Sequence, residues 1–158
     1  MFIKGLVDED FVNYKKPSMF IAFPYCSFKC DKEAGCSICQ NGRLANEENI
    51  DISINDIVDR YISNPITQAI VCGGLEPFDS WPDLRELVHE LRQHTQDEIV
   101  IYTGYRVDEV ARKTYWLGDH YDNIIVKFGR FIPYQENRYD ELLGIKLASP
   151  NQYARRIS

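Results

Sequence analysis

The sequence predicts a single α/β domain built on a mostly parallel sheet, and three observations predict it. Apolar runs recur at 19–24 (MFIAFP), 68–72 (QAIVC), 98–103 (EIVIYT) and 123–128 (NIIVKF). Stretches with one-face helical spacing separate each run from the next. The length, 158 residues, fits one domain spanning 1–158 at ~100–200 residues per domain. Strands alternating with helices in this way form parallel βαβ units with right-handed crossovers.

Each element has a local reason. The run 19–24 suits a buried strand and ends at Pro24, which leads straight to Cys26. A polar segment then continues to about Asn49. Ser53 caps a helix whose Ile54, Ile57, Val58, Tyr61 and Ile62 share a face, with Asp56 three residues after the cap. Asn64-Pro65 stops it. The strand 68–72 ends in Gly73-Gly74. Asp79 or Ser80 opens the next helix, with Pro82 in its first turn and Leu84, Leu87, Val88 and Leu91 on one side. The strand 98–103 is broken by Gly104, a helix is expected over 107–116, and the strand 123–128 ends at Gly129. The remaining tail, from 130 on, reads only coarsely.

Composition narrows the function classes. There are 18 Lys+Arg against 24 Asp+Glu, a net charge of −6. The chain therefore lacks the basic excess that neutralises phosphates, and nucleic acid is not an expected partner. No apolar run approaches the ~18–20 residues of a membrane span. The first residues, MFIKGLVDEDFVNYKK, have no basic head followed by an apolar stretch, so no secretory signal is expected and the location expected is the cytoplasm. A chain of this size buries roughly 70% of its unfolded surface and folds without staples.

Four of the five cysteines, Cys26, Cys30, Cys36 and Cys39, fall in the stretch CSFKCDKEAGCSIC. Reduced thiols packed this closely bind metal or perform redox chemistry. Thiolates select iron–sulfur clusters or zinc. The spacing C-x3-C-x5-C-x2-C makes a poor zinc ribbon, whose ligand pairs usually stand further apart, although a compact zinc knob stays open as an alternative. Cys72, alone in IVCGG, reads as a small core hydrophobe. In parallel sheets ligands bind beyond the carboxyl ends of the strands. The cysteine segment, Gly73-Gly74-Leu75-Glu76-Pro77 and Thr103-Gly104 each follow a strand end, so all three should face one mouth. Glycines there allow close backbone approach to a ligand, and Glu76 offers a carboxylate to a cationic amine. His89 and His94 read as surface residues on a helix and His120 as part of a polar turn. Lys127, Arg130, Arg155 and Arg156 read as solvated cations, and Tyr134, Tyr139 and Tyr153 as scattered tail aromatics.

The series Cys26-Ser27-Phe28-Lys29-Cys30, Cys39-Gln40-Asn41, Gly73-Gly74-Leu75-Glu76-Pro77, Tyr102-Thr103-Gly104-Tyr105 and Ser149-Pro150-Asn151-Gln152 resembles the radical S-adenosylmethionine enzymes. Within them it is most similar to the small activating proteins of anaerobic ribonucleoside-triphosphate reductase. The resemblance implies a partial (β/α) barrel of mostly parallel strands and an oxidoreductase that uses a [4Fe–4S] cluster and S-adenosylmethionine. It implies Cys26, Cys30 and Cys39 as the metal ligands, since Ile38 precedes Cys39 and Asn41 follows it by two. Cys36 is then a non-ligand in an insert spanning 31–36, and the trio Cys30, Cys36 and Cys39 is the rival set. By the same resemblance Gly73 and Gly74 line the methionine end of the cofactor, and Glu76 supports its amino group or the strand-end loop. Ile38 packs near the adenine, and Thr103 is a further contact. The implied partners are a flavodoxin-like electron donor and the reductase, a glycyl-radical protein whose backbone glycine loses a hydrogen atom to a 5′-deoxyadenosyl radical. Three departures stand out: the third cysteine is displaced from C-x3-C-x2-C, Leu75 lengthens Gly-Gly-Glu-Pro, and Asn13-Tyr14-Lys15-Lys16-Pro17 replaces a glycine- and arginine-containing stretch. Two other functions fit the residues: a related enzyme acting on a small molecule, and a non-catalytic domain stabilised by zinc on four cysteines.

Overall fold

A computed structural model describes every residue, Met1–Ser158. Its centre is a six-stranded sheet. Four strands are parallel and adjacent in chain order: β3 (Ser18–Phe23), β5 (Ala69–Gly74), β6 (Glu98–Tyr102) and β7 (Ile124–Phe128). The two edges are antiparallel, with β2 (Gly5–Asp10) pairing β3 and β10 (Tyr153–Arg156) pairing β7. Two small sheets flank it. One pairs β1 (Phe2–Ile3) with β4 (Ile50–Asp51), the other β8 (Arg138–Asp140) with β9 (Ile145–Leu147).

Three helices cross between the parallel strands: α2 (Ile54–Ser63), α3 (Trp81–His94) and α4 (Val107–His120). α2 starts where expected, because the Ser53 hydroxyl accepts from the Asp56 amide at 3.0 Å and satisfies one of the open amides of the first turn. α4 runs to His120, past the expected end. His120 stacks on Trp116 with ring centroids 4.1 Å apart, so it belongs to the last helical turn and not to a separate polar turn.

Alternation along the strands divides the sheet into two faces. Ile21, Ile70, Cys72, Ile99, Ile101, Ile124 and Val126 pack with Ile57, Leu87, Leu91 and Leu117 of the helices. All three crossover helices therefore cover the same face. On the other face Val71, Val100 and Ile125 pack beneath Tyr14, Leu143 and Leu147, from the loop after β2 and the β8–β9 hairpin. This lid covers only the amino-terminal half of the strands. Their carboxyl ends, toward Gly74, Tyr102 and Lys127, stay open on that face. No helix is long and apolar enough to cross a membrane.

Candidate functional site

The β3–β5 ladder continues past the strands. The Leu75 amide donates to the Phe23 carbonyl at 3.2 Å and the Glu76 amide to the Tyr25 carbonyl at 2.7 Å, which carries Cys26 to the end of β5. Asp79 anchors the next residue. It accepts from the Ser27 amide at 2.7 Å and the Tyr105 hydroxyl at 2.5 Å, while the Ser27 and Tyr105 hydroxyls meet at 2.9 Å. Phe28 then adopts a left-handed φ of 52° and turns the chain into a short helix, α1 (Lys29–Ala34), that carries Cys30. This helix interrupts a segment whose sequence reads only as a polar loop.

Beyond α1, the amides of Ile38 and Cys39 both donate to Asp31 Oδ1, at 2.9 and 2.8 Å. The Asn41 side chain donates to the Gly74 carbonyl at 2.7 Å. Cys26, Cys30 and Cys39 thereby line one cavity of about 390 Å³, together with Gly74, Glu76 and Thr103. Cys36 is exposed and lies outside it. Cys72 is fully buried on β5. No three Cys, His, Asp or Glu side chains stand close enough to share a single metal ion, whereas the irons of a cubane sit at separate corners and accept thiolates spread around it.

Glu76 is 4% exposed and joins the ends of β5 and β6. Its Oε1 accepts from the Thr103 hydroxyl at 2.8 Å and the Phe78 amide at 3.1 Å, and its Oε2 from the Gly104 amide at 2.9 Å. Burial pushes its pKa up to about 7, against the opposing pull of those three donors. Thr103 is locally satisfied, since its hydroxyl also accepts from the Tyr105 amide at 3.0 Å. Gly74 lines the cavity, but Gly73 does not: a Cβ there would stand 3.0 Å from the Phe20 ring, and it is Phe20 that faces the cavity. Ile38 lines an adjoining apolar cavity of about 740 Å³, which shares Cys30, Gly129 and Phe131 with the first.

Two basic residues read as solvated are buried here. Lys127 pairs with Tyr102 in the β6–β7 register, so it faces the open side of the sheet with no ion-pair partner, 5.9 Å from the Tyr102 ring. Burial pulls its pKa down to about 8, with Glu76 and Cys30 acting in the opposite direction. Arg130, 5% exposed, bonds Glu33 at 2.9 Å, Glu109 at 2.7 Å and the Gly104 carbonyl. The motif 149–152 grips the same segment, with Asn151 Nδ2 donating to the Arg130 carbonyl at 2.9 Å and Gln152 Nε2 to the Gly129 carbonyl at 3.3 Å. Of the tail tyrosines, Tyr134 and Tyr139 are exposed, while Tyr153 packs on Phe128. Only the alternation within NIIVKF signals Lys127, because it puts residue 127 on the face of Ile125.

The thiols are soft donors. Burial pushes Cys26 up to about 12, helped by Glu76, Asp79 and Cys39 and opposed by the Phe28 amide. Burial also raises Cys39, assisted by Asp31 and Cys30 and opposed by the Asn41 amide. Such a set ionises when a cation arrives, as thiolate ligation requires. A model of the 4Fe-4S single cluster domain matches residues 17–152. The chain belongs to that family. Its matched region begins just before β3 and takes in every residue of the cavity except Asn13, and the three-thiol wall fits the soft-ligand demand of an iron–sulfur cluster. No curated protein and no solved structure matches the chain.

Proposed function

We propose that this iron–sulfur protein is a radical S-adenosylmethionine enzyme, and that it activates an anaerobic ribonucleotide reductase by installing a glycyl radical. The observation that carries the reading is the convergence of three cavity thiols with the Gly74–Glu76 strand end and the buried Lys127, which has no ion-pair partner. Three thiolates from Cys26, Cys30 and Cys39 would hold three irons and would leave a fourth without a protein ligand. The single face shared by all the crossover helices supports the partial-barrel expectation, since a (β/α) barrel carries its helices on the outside whereas a doubly wound sheet carries them on both faces.

When bound, a reduced [4Fe–4S] cluster supplies the single electron that splits S-adenosylmethionine into methionine and a 5′-deoxyadenosyl radical. The chain's own residues bind and orient. Lys127 offers its ammonium to the methionine carboxylate, and the low polarity around it strengthens that pairing. Glu76 fixes the β5 and β6 ends against each other so that the Gly74 backbone stays at the methionine end. Ile38 and the apolar wall beside it, including Phe131, exclude water from the adenosyl side. The electron would come from a flavodoxin-like donor, and the hydrogen atom from a glycine of the partner reductase.

The test is anaerobic reconstitution with iron and sulfide, followed by reduction with S-adenosylmethionine and assay of 5′-deoxyadenosine, then of a glycyl radical on a co-encoded reductase. Cluster content is expected to survive Cys36→Ala and to be lost in Cys26→Ala, Cys30→Ala and Cys39→Ala. Lys127→Met is expected to keep its iron but to need at least about tenfold more S-adenosylmethionine, the weight of one charged hydrogen bond. Colourless wild-type protein, or four essential cysteines with one bound zinc, contradicts the proposal. Deoxyadenosine without a radical on the reductase redirects it to a small-molecule substrate.

A further inference from the structure

Eight residues separate Cys30 from Cys39, and the chain that spans them is built, not slack. Asp31 follows Cys30 directly in the first turn of α1, and its Oδ1 collects the amides of Ile38 and Cys39. One carboxylate oxygen thus closes the loop and returns the chain to the side of Cys30. The far end of α1 is held separately, where Glu33 meets Arg130 at 2.9 Å and Arg106 at 3.4 Å. Cys36 stands exposed at the outer bend between these two anchors. Downstream, Asn41 ties the same strand of chain to Gly74.

We infer that Asp31 is a positioning residue that selects Cys39 over Cys36 as the third thiolate of the cluster, by binding the backbone amides of residues 38 and 39. The inference rests on the three-ligand reading above. A flexible loop of this length presents two cysteines three residues apart, and nothing in thiol chemistry distinguishes them. The distinction comes from the backbone. Hydrogen bonds from amides to a carboxylate are strong because the acceptor is charged, and both amides sit at or beside Cys39, so its Cα is fixed while Cys36 is left at the bend. Outer residues that orient ligands typically alter metal affinity by ~10–100-fold when removed.

Three measurements on wild type, Asp31→Ala and Asp31→Asn test this. In the full apo chain, amide hydrogen exchange at Ile38 and Cys39 is expected to quicken at least about tenfold in Asp31→Ala and by clearly less in Asp31→Asn, whose neutral oxygen still accepts two bonds but holds them more weakly. After reconstitution, loss of iron to a chelator is expected to be about tenfold faster in Asp31→Ala and to be partly rescued in Asp31→Asn. Alkylation of the reconstituted protein, mapped by mass spectrometry, is expected to modify Cys36 alone in wild type and to reach Cys39 in Asp31→Ala. Should Asp31→Ala not fold, Asp31→Glu replaces it, because the extra methylene displaces the accepting oxygen and is expected to expose Cys39 in the same way. Wild-type exchange, iron retention and alkylation in Asp31→Ala, or in Asp31→Glu where it replaces Asp31→Ala, overturn the inference. Wild-type protein that takes up no cluster defeats the functional reading instead, and the exchange measurement on the apo chain then decides the role of Asp31 by itself.

Discussion

At position 74 a side chain has nowhere to go. Gly74 has φ +80°, and a Cβ would stand 2.7 Å from the Ala22 Cα, on the neighbouring strand, where no rotamer change gives relief. Gly74→Ala is expected to destabilise the chain by about 1–3 kcal/mol, the cost of a non-glycine residue held in a disfavoured backbone region. The urea midpoint checks it: an unchanged midpoint contradicts the close approach of β3 and β5. Residue types at the strand ends were legible for a physical reason, since glycines and a lone carboxylate after an apolar run are chemically unusual. Lys127 and Arg130 were not, because a basic residue's burial depends on what surrounds it in space. Lys127 is enclosed by strand neighbours, and Arg130 by Glu33 and Glu109, which lie far from it in sequence.

The helices and parallel strands were legible because each carries its own periodicity, and α2 and α3 begin within a residue or two of their predicted caps. The edges were not. β2 (GLVDED) holds three acidic residues and buries only Asp10, so it lacks the apolar positions that mark a buried strand. β10 (YARR) is a strand only through its pairing with β7. α1 hides within the polar cysteine segment, where its turn depends on Asp31, Glu33 and partners elsewhere. At the opposite end of the sheet Glu98, at the start of β6, ties together the loop after β2 and the last strand: it accepts from Tyr14 at 2.7 Å, Lys16 at 2.7 Å and Arg156. Partial burial pushes Glu98 upward, but the hydrogen bonds from Lys16, Tyr14 and Arg156 outweigh it and hold the pKa at about 2, below the ordinary 4.5. Since the folded value is depressed, the stabilisation is complete above about pH 4.5 and is lost as the pH falls toward about 2. Thermal unfolding of the apo chain over that range is expected to show a steeper loss of Tm in wild type than in Glu98→Gln, and parallel curves contradict it.

Across the whole molecule, one division organises the chemistry. Apolar packing against three helices occupies one face of the sheet, and a lid of Tyr14, Leu143 and Leu147 seals half of the other. What remains open is the carboxyl end, where the thiols of Cys26, Cys30 and Cys39, the Glu76 bridge and Lys127 converge. The placement of that mouth followed from strand order alone. The choice of Cys26, Cys30 and Cys39 among the four clustered cysteines did not, because it came from the resemblance, through Ile38 and Asn41 on either side of Cys39. In the proposed enzyme the cluster offers one iron to a small-molecule ligand, and electron paramagnetic resonance of the reconstituted, reduced protein reads this out. Adding S-adenosylmethionine is expected to change the g values of the [4Fe–4S]⁺ signal, as a new ligand reaches that iron. A signal that is identical with and without S-adenosylmethionine would rule out an iron open to that ligand.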